Sequence, residues 1–91
     1  MSTKEKVLEE VKIEELLGNQ NVIVLFNDDV NTFDHVIETL VKVCDHDPLQ
    51  AEQCAFIVHY KGKCEVKTGE MKDLVPMCSS LLDAGLSAEI Q

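Results

Sequence analysis

Positive charge is scarce in this chain: eight Lys and Arg stand against 17 Asp and Glu, a formal net charge of -9 at pH 7. Such a balance disfavours nucleic acid, whose phosphates it repels, and anionic membrane surfaces. It suits a cationic ligand or a basic partner patch, and it also serves plain solubility. Long apolar runs are missing as well, since none approaches the ~20 residues of a membrane span. The amino terminus opens on charged residues instead of a basic segment followed by an apolar stretch, so a cytoplasmic protein is expected. No Cys-x-x-Cys pair occurs among Cys44, Cys54, Cys64 and Cys78, which argues against a zinc knuckle. In a reducing compartment these thiols stay free, and all four are read as small core residues because Cys44 and Cys78 fall on apolar helical faces. Internal repeats and low-complexity segments are absent. At 91 residues there is room for one domain and one modest core, with none for a separate catalytic domain.

What is present is an apolar share of 45%, ample for globular packing. Residues 1–20 are charged and lack a clear period, and Val11, Ile13, Leu16 and Leu17 supply a short packing arm; this stretch reads as a loosely held extension to a core domain over 21–91. Val22 to Phe26 is a β-branched run of strand length. Phe33, Val36, Ile37, Leu40, Val41 and Cys44 then recur at helical spacing, which predicts a helix over 32–45 with Asn31 or Thr32 as N-cap. Asp47-Pro48 starts a second helix, a capping carboxylate followed by proline, and this helix ends near Tyr60 with Gly62 turning the chain. Residues 64–68 alternate as a half-buried strand. Met71, Leu74, Val75, Cys78, Leu81 and Leu82 mark a third helix closed by Gly85, with a kink or a late start expected at Pro76. Residues 86–90 alternate again. The order is β-α-α-β-α-β, an α+β fold with helices packed on one face of a small sheet.

Two segments carry the chemistry. The strand over 22–26 ends abruptly in Asn27-Asp28-Asp29, and Val58-His59-Tyr60-Lys61-Gly62-Lys63 follows some thirty residues later. Such a junction gathers short acceptor groups beside an apolar wall, the pattern of a site for a cationic group attached to an apolar side chain. Taken alone, each residue also has a structural role open to it: Asn27 and Asp28 as turn formers, Asp29 and Asn31 as capping groups, His59 as a helix-end residue favoured by the macrodipole.

Leu-x-Asn-Asp-Asp followed by a helix and a His-Tyr-x-Gly-Lys turn resembles the ClpS family, over roughly residues 20–91. These are small bacterial adaptors that bind destabilising amino-terminal residues, or N-degrons, and hand the substrates to a Clp protease. The resemblance implies a three-stranded antiparallel sheet with three helices, no catalysis, no cofactor and no metal. It assigns the α-ammonium group to Asn27, Asp28 and His59, with Asp29 and Asn31 at the peptide rim. It assigns the terminal Leu, Phe, Tyr or Trp side chain to a pocket of Leu25, Phe26, Phe33, Val36, Ala55, Val58 and Leu86. An α-ammonium carries one charge and three donors, so several acceptors must converge on it. The implied partners are substrate proteins with such termini and the amino-terminal domain of an AAA+ Clp ATPase of the ClpA or ClpC type, met by a monomer.

Three departures from the family pattern stand out. Phe33 replaces the usual gating Met, Ala55 replaces a second pocket Met, and Asn31-Thr32 replaces Thr-Pro at the rim. Among the ATPase-docking positions Glu70 matches the family's acid, whereas the Lys position falls near Val75 and only Lys72 lies close. Two rival readings differ in class. One is an enzyme, with Cys54 or Cys64 as nucleophile and His59 as base, or with Asp28, Asp29 and His59 around a divalent metal. The other is an interaction module of the same fold, such as the carboxy-terminal domain of the bacterial ribosomal stalk protein, which has no reason to hold Asn27 and Asp28 beside His59.

Overall fold

The computed structural model describes residues 20–91. Nearly all of the expected extension, with its packing arm, therefore lies outside the described residues. The elements are β1 (Asn21–Phe26), α1 (Phe33–Cys44), α2 (Pro48–Lys61), β2 (Lys63–Gly69), α3 (Met71–Asp83) and β3 (Ser87–Ile90). They form a three-stranded antiparallel sheet in the order β2-β1-β3 with three helices, the fold expected from the sequence.

β1 is central, which explains its unbroken apolar run: Ile23, Val24 and Leu25 are all buried. Ile23 and Leu25 join the helical layer in a core that includes Leu40, Cys44, Ala51, Leu74 and Leu81. The register pairs Phe26, the last residue of β1, with Lys63 at the start of β2 and with Ser87 at the start of β3. Three chain segments therefore meet at one end of the sheet: the exit from β1, the turn after α2 and the entry to β3. The β1–β2 pairing shifts between Ile23 and Val24, so that Val66 is an extra residue in β2. Its carbonyl oxygen lies 2.6 Å from Nε2 of the buried His46.

Helix ends follow local chemistry. Thr32, not Asn31, caps α1, its hydroxyl accepting from the His35 N–H at 3.1 Å. Asp47 caps α2 by accepting from the Gln50 N–H at 2.8 Å, and Pro48 takes the first turn as expected. α2 runs to Lys61, one residue past Tyr60, and Gly62 closes it at φ 93°, where a residue with a side chain is disfavoured. α3 does not start late: it begins at Met71 and continues through Pro76, where the Lys72 carbonyl loses its helical donor. Cys44, Cys54 and Cys78 are buried, but Cys64 is only half-buried, because β2 lies at the sheet edge and alternates between core and surface.

Candidate functional site

The corner after β1 is built by one carboxylate. Asp28 Oδ1 accepts from the backbone N–H groups of Val30 at 3.0 Å and Asn31 at 2.9 Å, folding the chain back toward the start of α1. The Asn31 side-chain Nδ2 reaches both Asp28 oxygens, at 2.9 and 2.8 Å, and the Gly85 carbonyl at 2.8 Å. Asn27 enters through its backbone, its N–H donating to the Gly62 oxygen at 2.9 Å. That bond fastens the corner to the turn that follows His59.

Within this frame lies a cavity of about 260 Å³. Leu25, Phe26, Phe33, Val36, Ala55, Val58 and Leu86 supply its apolar lining, and Asn27, Asp28, Asp29, Asn31, Thr32 and His59 surround it with polar groups. Every residue assigned from the sequence to the ammonium site, rim and pocket borders this one space. Asn27, Asp29 and His59 are exposed, whereas Leu25, Ala55, Val58 and Leu86 are buried. Polar acceptors thus face solvent around an apolar hollow. Pockets that enclose whole small ligands run from about 300 to 1,000 Å³, so this one suits a single side chain.

Phe33 is 37% exposed and stands between two rings, with centroids 5.2 Å from Phe56 and 5.0 Å from His59. The His59 ring meets Tyr60 edge-on at 5.0 Å. Thr32, noted from the sequence as a departure at the rim, borders the cavity, whereas sequence reasoning missed Phe56. Phe56 follows the pocket residue Ala55, and its place on α2 three residues before His59 is the signal that points it toward the same end of the cavity.

The Asp28 carboxyl is held below its ordinary value of 3.8, first by the Asn31 backbone N–H, against an opposing effect of burial, and then by the Asn31 amide, the Val30 N–H and the Ser87 hydroxyl. It is the charged acceptor of the rim. Burial raises three of the thiols, those of Cys44, Cys64 and Cys78. Burial, then the neighbouring Cys54, pushes the Cys64 thiol up to about 12, so it stays protonated at neutral pH, contrary to what a nucleophile needs. Among the described residues no three His, Cys, Asp or Glu side chains are grouped to hold a metal ion, and no helix is long and apolar enough to cross a membrane.

Glu70 and Lys72 lie at the start of α3 and pair with each other at 3.5 Å. Gly69, which precedes them, pairs with Asn21 at the opposite end of β1 from Phe26. Five strand steps of about 3.4 Å put them roughly 17 Å from the corner. They are not part of the cavity.

A three-helix, three-strand domain with a one-side-chain cavity ringed by acceptors has the make-up of a small recognition module. Residues 18–89 match the family of the ATP-dependent Clp protease adaptor protein ClpS, and the chain belongs to that family. Its fold is similar to that in the structure of Agrobacterium tumefaciens ClpS2 bound to L-phenylalaninamide, with a TM-score of 0.72 and 18% sequence identity over 79% of this chain and 96% of that one. None of the curated proteins matches the sequence.

Asp28 makes stability depend on acidity in a defined sense. Its folded value is depressed, so it stabilises the native state above the unfolded value near 3.8 and loses that contribution as pH falls through the lower folded value. Denaturation of wild type and Asp28→Asn at stepped pH should show the wild type ahead at pH 6 and the gap closing below about 4. A gap that is constant from pH 6 to 3 would contradict the charge-dependent role.

Proposed function

We propose that this ClpS adaptor binds substrate proteins through a free amino-terminal Leu, Phe, Tyr or Trp and delivers them to a Clp AAA+ ATPase for degradation. The observation that carries the reading is the conjunction of Asn27, Asp28 and His59 with an apolar cavity sized for one side chain. In this reading the α-ammonium donates to the Asn27 side-chain oxygen, to Asp28 and to a ring nitrogen of His59, and the terminal side chain fills the hollow between β1, α1, α2 and Leu86. Burial of a Leu or aromatic side chain contributes about 1.5–3 kcal/mol. Each charge-assisted hydrogen bond adds about as much. The two halves select different features: the rim requires a free, charged terminus, and the cavity requires an apolar side chain. Agrobacterium tumefaciens ClpS2, bound to L-phenylalaninamide, supports the reading, since that molecule combines a free ammonium with a phenyl ring.

Asp28→Ala and His59→Ala should each weaken binding of a Leu-initiated peptide about ten- to hundredfold in fluorescence anisotropy, the cost of one acceptor to a charged donor. Acetylation of the peptide terminus should weaken binding to wild type as well. Well-folded variants with wild-type affinity would remove the ammonium-site assignment.

The side-chain gate is proposed to be Phe33, propped by Phe56. A β-branched terminal residue carries its extra methyl group where the Phe33 ring stands in this reading. Phe33→Ala should therefore admit peptides beginning with Ile or Val that wild type rejects, while Leu affinity falls because the truncated wall no longer shields the ligand. Continued exclusion of Ile and Val would place the gate elsewhere.

Delivery is proposed to use Glu70 and Lys72, far from the cavity. Reversing both charges should abolish ATPase-dependent degradation of a Leu-initiated reporter while peptide affinity stays constant. The defect should be deepest at low salt, because exposed charges mainly set encounter rate and partner choice. Normal degradation by the reversed variant would leave ligand binding standing and move the docking surface.

A further inference from the structure

We infer that Asn31 is a positioning residue for the ammonium site: its side-chain amide, anchored on the Gly85 carbonyl, holds the Asp28 carboxylate so that one oxygen remains open to the ligand. The inference rests on the amino-terminus-binding reading above, and it gives Asn31 a role distinct from direct contact at the rim.

Counting donors and acceptors carries the argument. An Asn amide nitrogen has two hydrogens, and Nδ2 of Asn31 has three acceptors within 2.9 Å: both Asp28 oxygens and the Gly85 oxygen. One hydrogen is therefore shared across the carboxylate while the other goes to Gly85. A carboxylate offers about four acceptor positions, two on each oxygen. Asp28 Oδ1 already receives the Val30 and Asn31 backbone N–H groups as well as the amide, so it is filled. Among the described residues Oδ2 accepts no hydrogen bond besides that of the amide; the Ser87 hydroxyl stands near enough to favour the charge, and Oδ2 keeps capacity for a further donor.

The anchor comes from a different part of the chain. Gly85 closes the turn between α3 and β3, 54 residues from Asn31, at φ +89°. Leu86, next in sequence, is buried and lines the cavity. The amide is thus fixed by the same loop that supplies a pocket wall, which restrains rotation of Asp28 about its side-chain bonds. Aspartate at position 31 would turn the donor into an acceptor facing two acceptors. Alanine would leave Asp28 held chiefly by the backbone N–H groups on Oδ1, with the Ser87 hydroxyl as a weaker neighbour.

The test is a double-mutant cycle read by the affinity of a fluorescent Leu-initiated peptide, with thermal unfolding of every variant as a control. Asn31→Ala should weaken binding at least about tenfold, and Asn31→Asp further still. In an Asp28→Ala background the same Asn31→Ala change should alter affinity by no more than about twofold, since nothing remains to be positioned. Asn31→Ser, which retains one short donor, takes the place of the alanine variant in the cycle should alanine unfold. If Asp28→Ala leaves affinity unchanged, the ammonium-site reading fails and this inference with it. If Asp28→Ala weakens binding but the Asn31 change is neutral, or costs the same factor in both backgrounds, the binding reading stands and the positioning role is overturned.

Discussion

The pairing of Phe26 with Lys63 on one side and Ser87 on the other decides where every group of the site falls. Because β1 is the middle strand, its end is a place where three segments distant in sequence must come together. The Asn27 N–H closes the junction on the Gly62 carbonyl, and that bond sets His59, one turn earlier on α2, beside the corner. Leu86 arrives from the other side, immediately before β3. Slipping the register of β1 by one residue would exchange its two faces and separate these partners. The geometry of the cavity and its rim is in this sense a consequence of strand pairing, with side-chain chemistry laid over it.

Polar groups at the corner divide their work. Asp28 organises the turn through backbone donors while carrying charge at the rim, and a carboxyl held below its ordinary value serves both ends. Asn27 and His59 are exposed beside it, one just past the end of β1 and the other in the last turn of α2. Below them the cavity is surrounded by residues belonging to or adjoining the core, so its shape inherits the rigidity of packed side chains. Phe33 is the exception. It is partly exposed and is supported by ring contacts at the surface, which makes it the wall most open to change.

Much of this was legible in the sequence because the relevant signals are local. The β-branched run of β1, the Asp47-Pro48 start of α2 and the glycine after it each depend on a few neighbouring residues. Tertiary context decided the rest. Both Asn31 and Thr32 can cap a helix, and Thr32 takes the role because the Asn31 amide is drawn to Asp28 and to a carbonyl 54 residues away. Cys64 has the composition of a core residue but lies on an edge strand. Pro76 reads as a helix breaker, yet α3 passes through it with Leu74, Cys78 and Leu81 buried around it. His46 gave no signal at all, since its partner is the carbonyl of a bulge residue that no pattern in the chain announces. The cavity residues were recognisable through a combined motif, while the hydrogen bonds that orient them were not.

The most direct examination of the central claim is a pair of NMR titrations on the isotopically labelled full chain, one with L-leucinamide and one with its N-acetyl derivative. The two molecules share a side chain and differ at the terminus. With L-leucinamide, saturable shifts should appear at Asn27, Asp28 and His59 together with Val36, Ala55 and Leu86, while Glu70 and Lys72 stay unmoved. The acetylated compound should leave all of them nearly unchanged at the same concentrations. Equal responses to both compounds, or shifts confined to another surface, would contradict recognition of a free amino terminus at this corner.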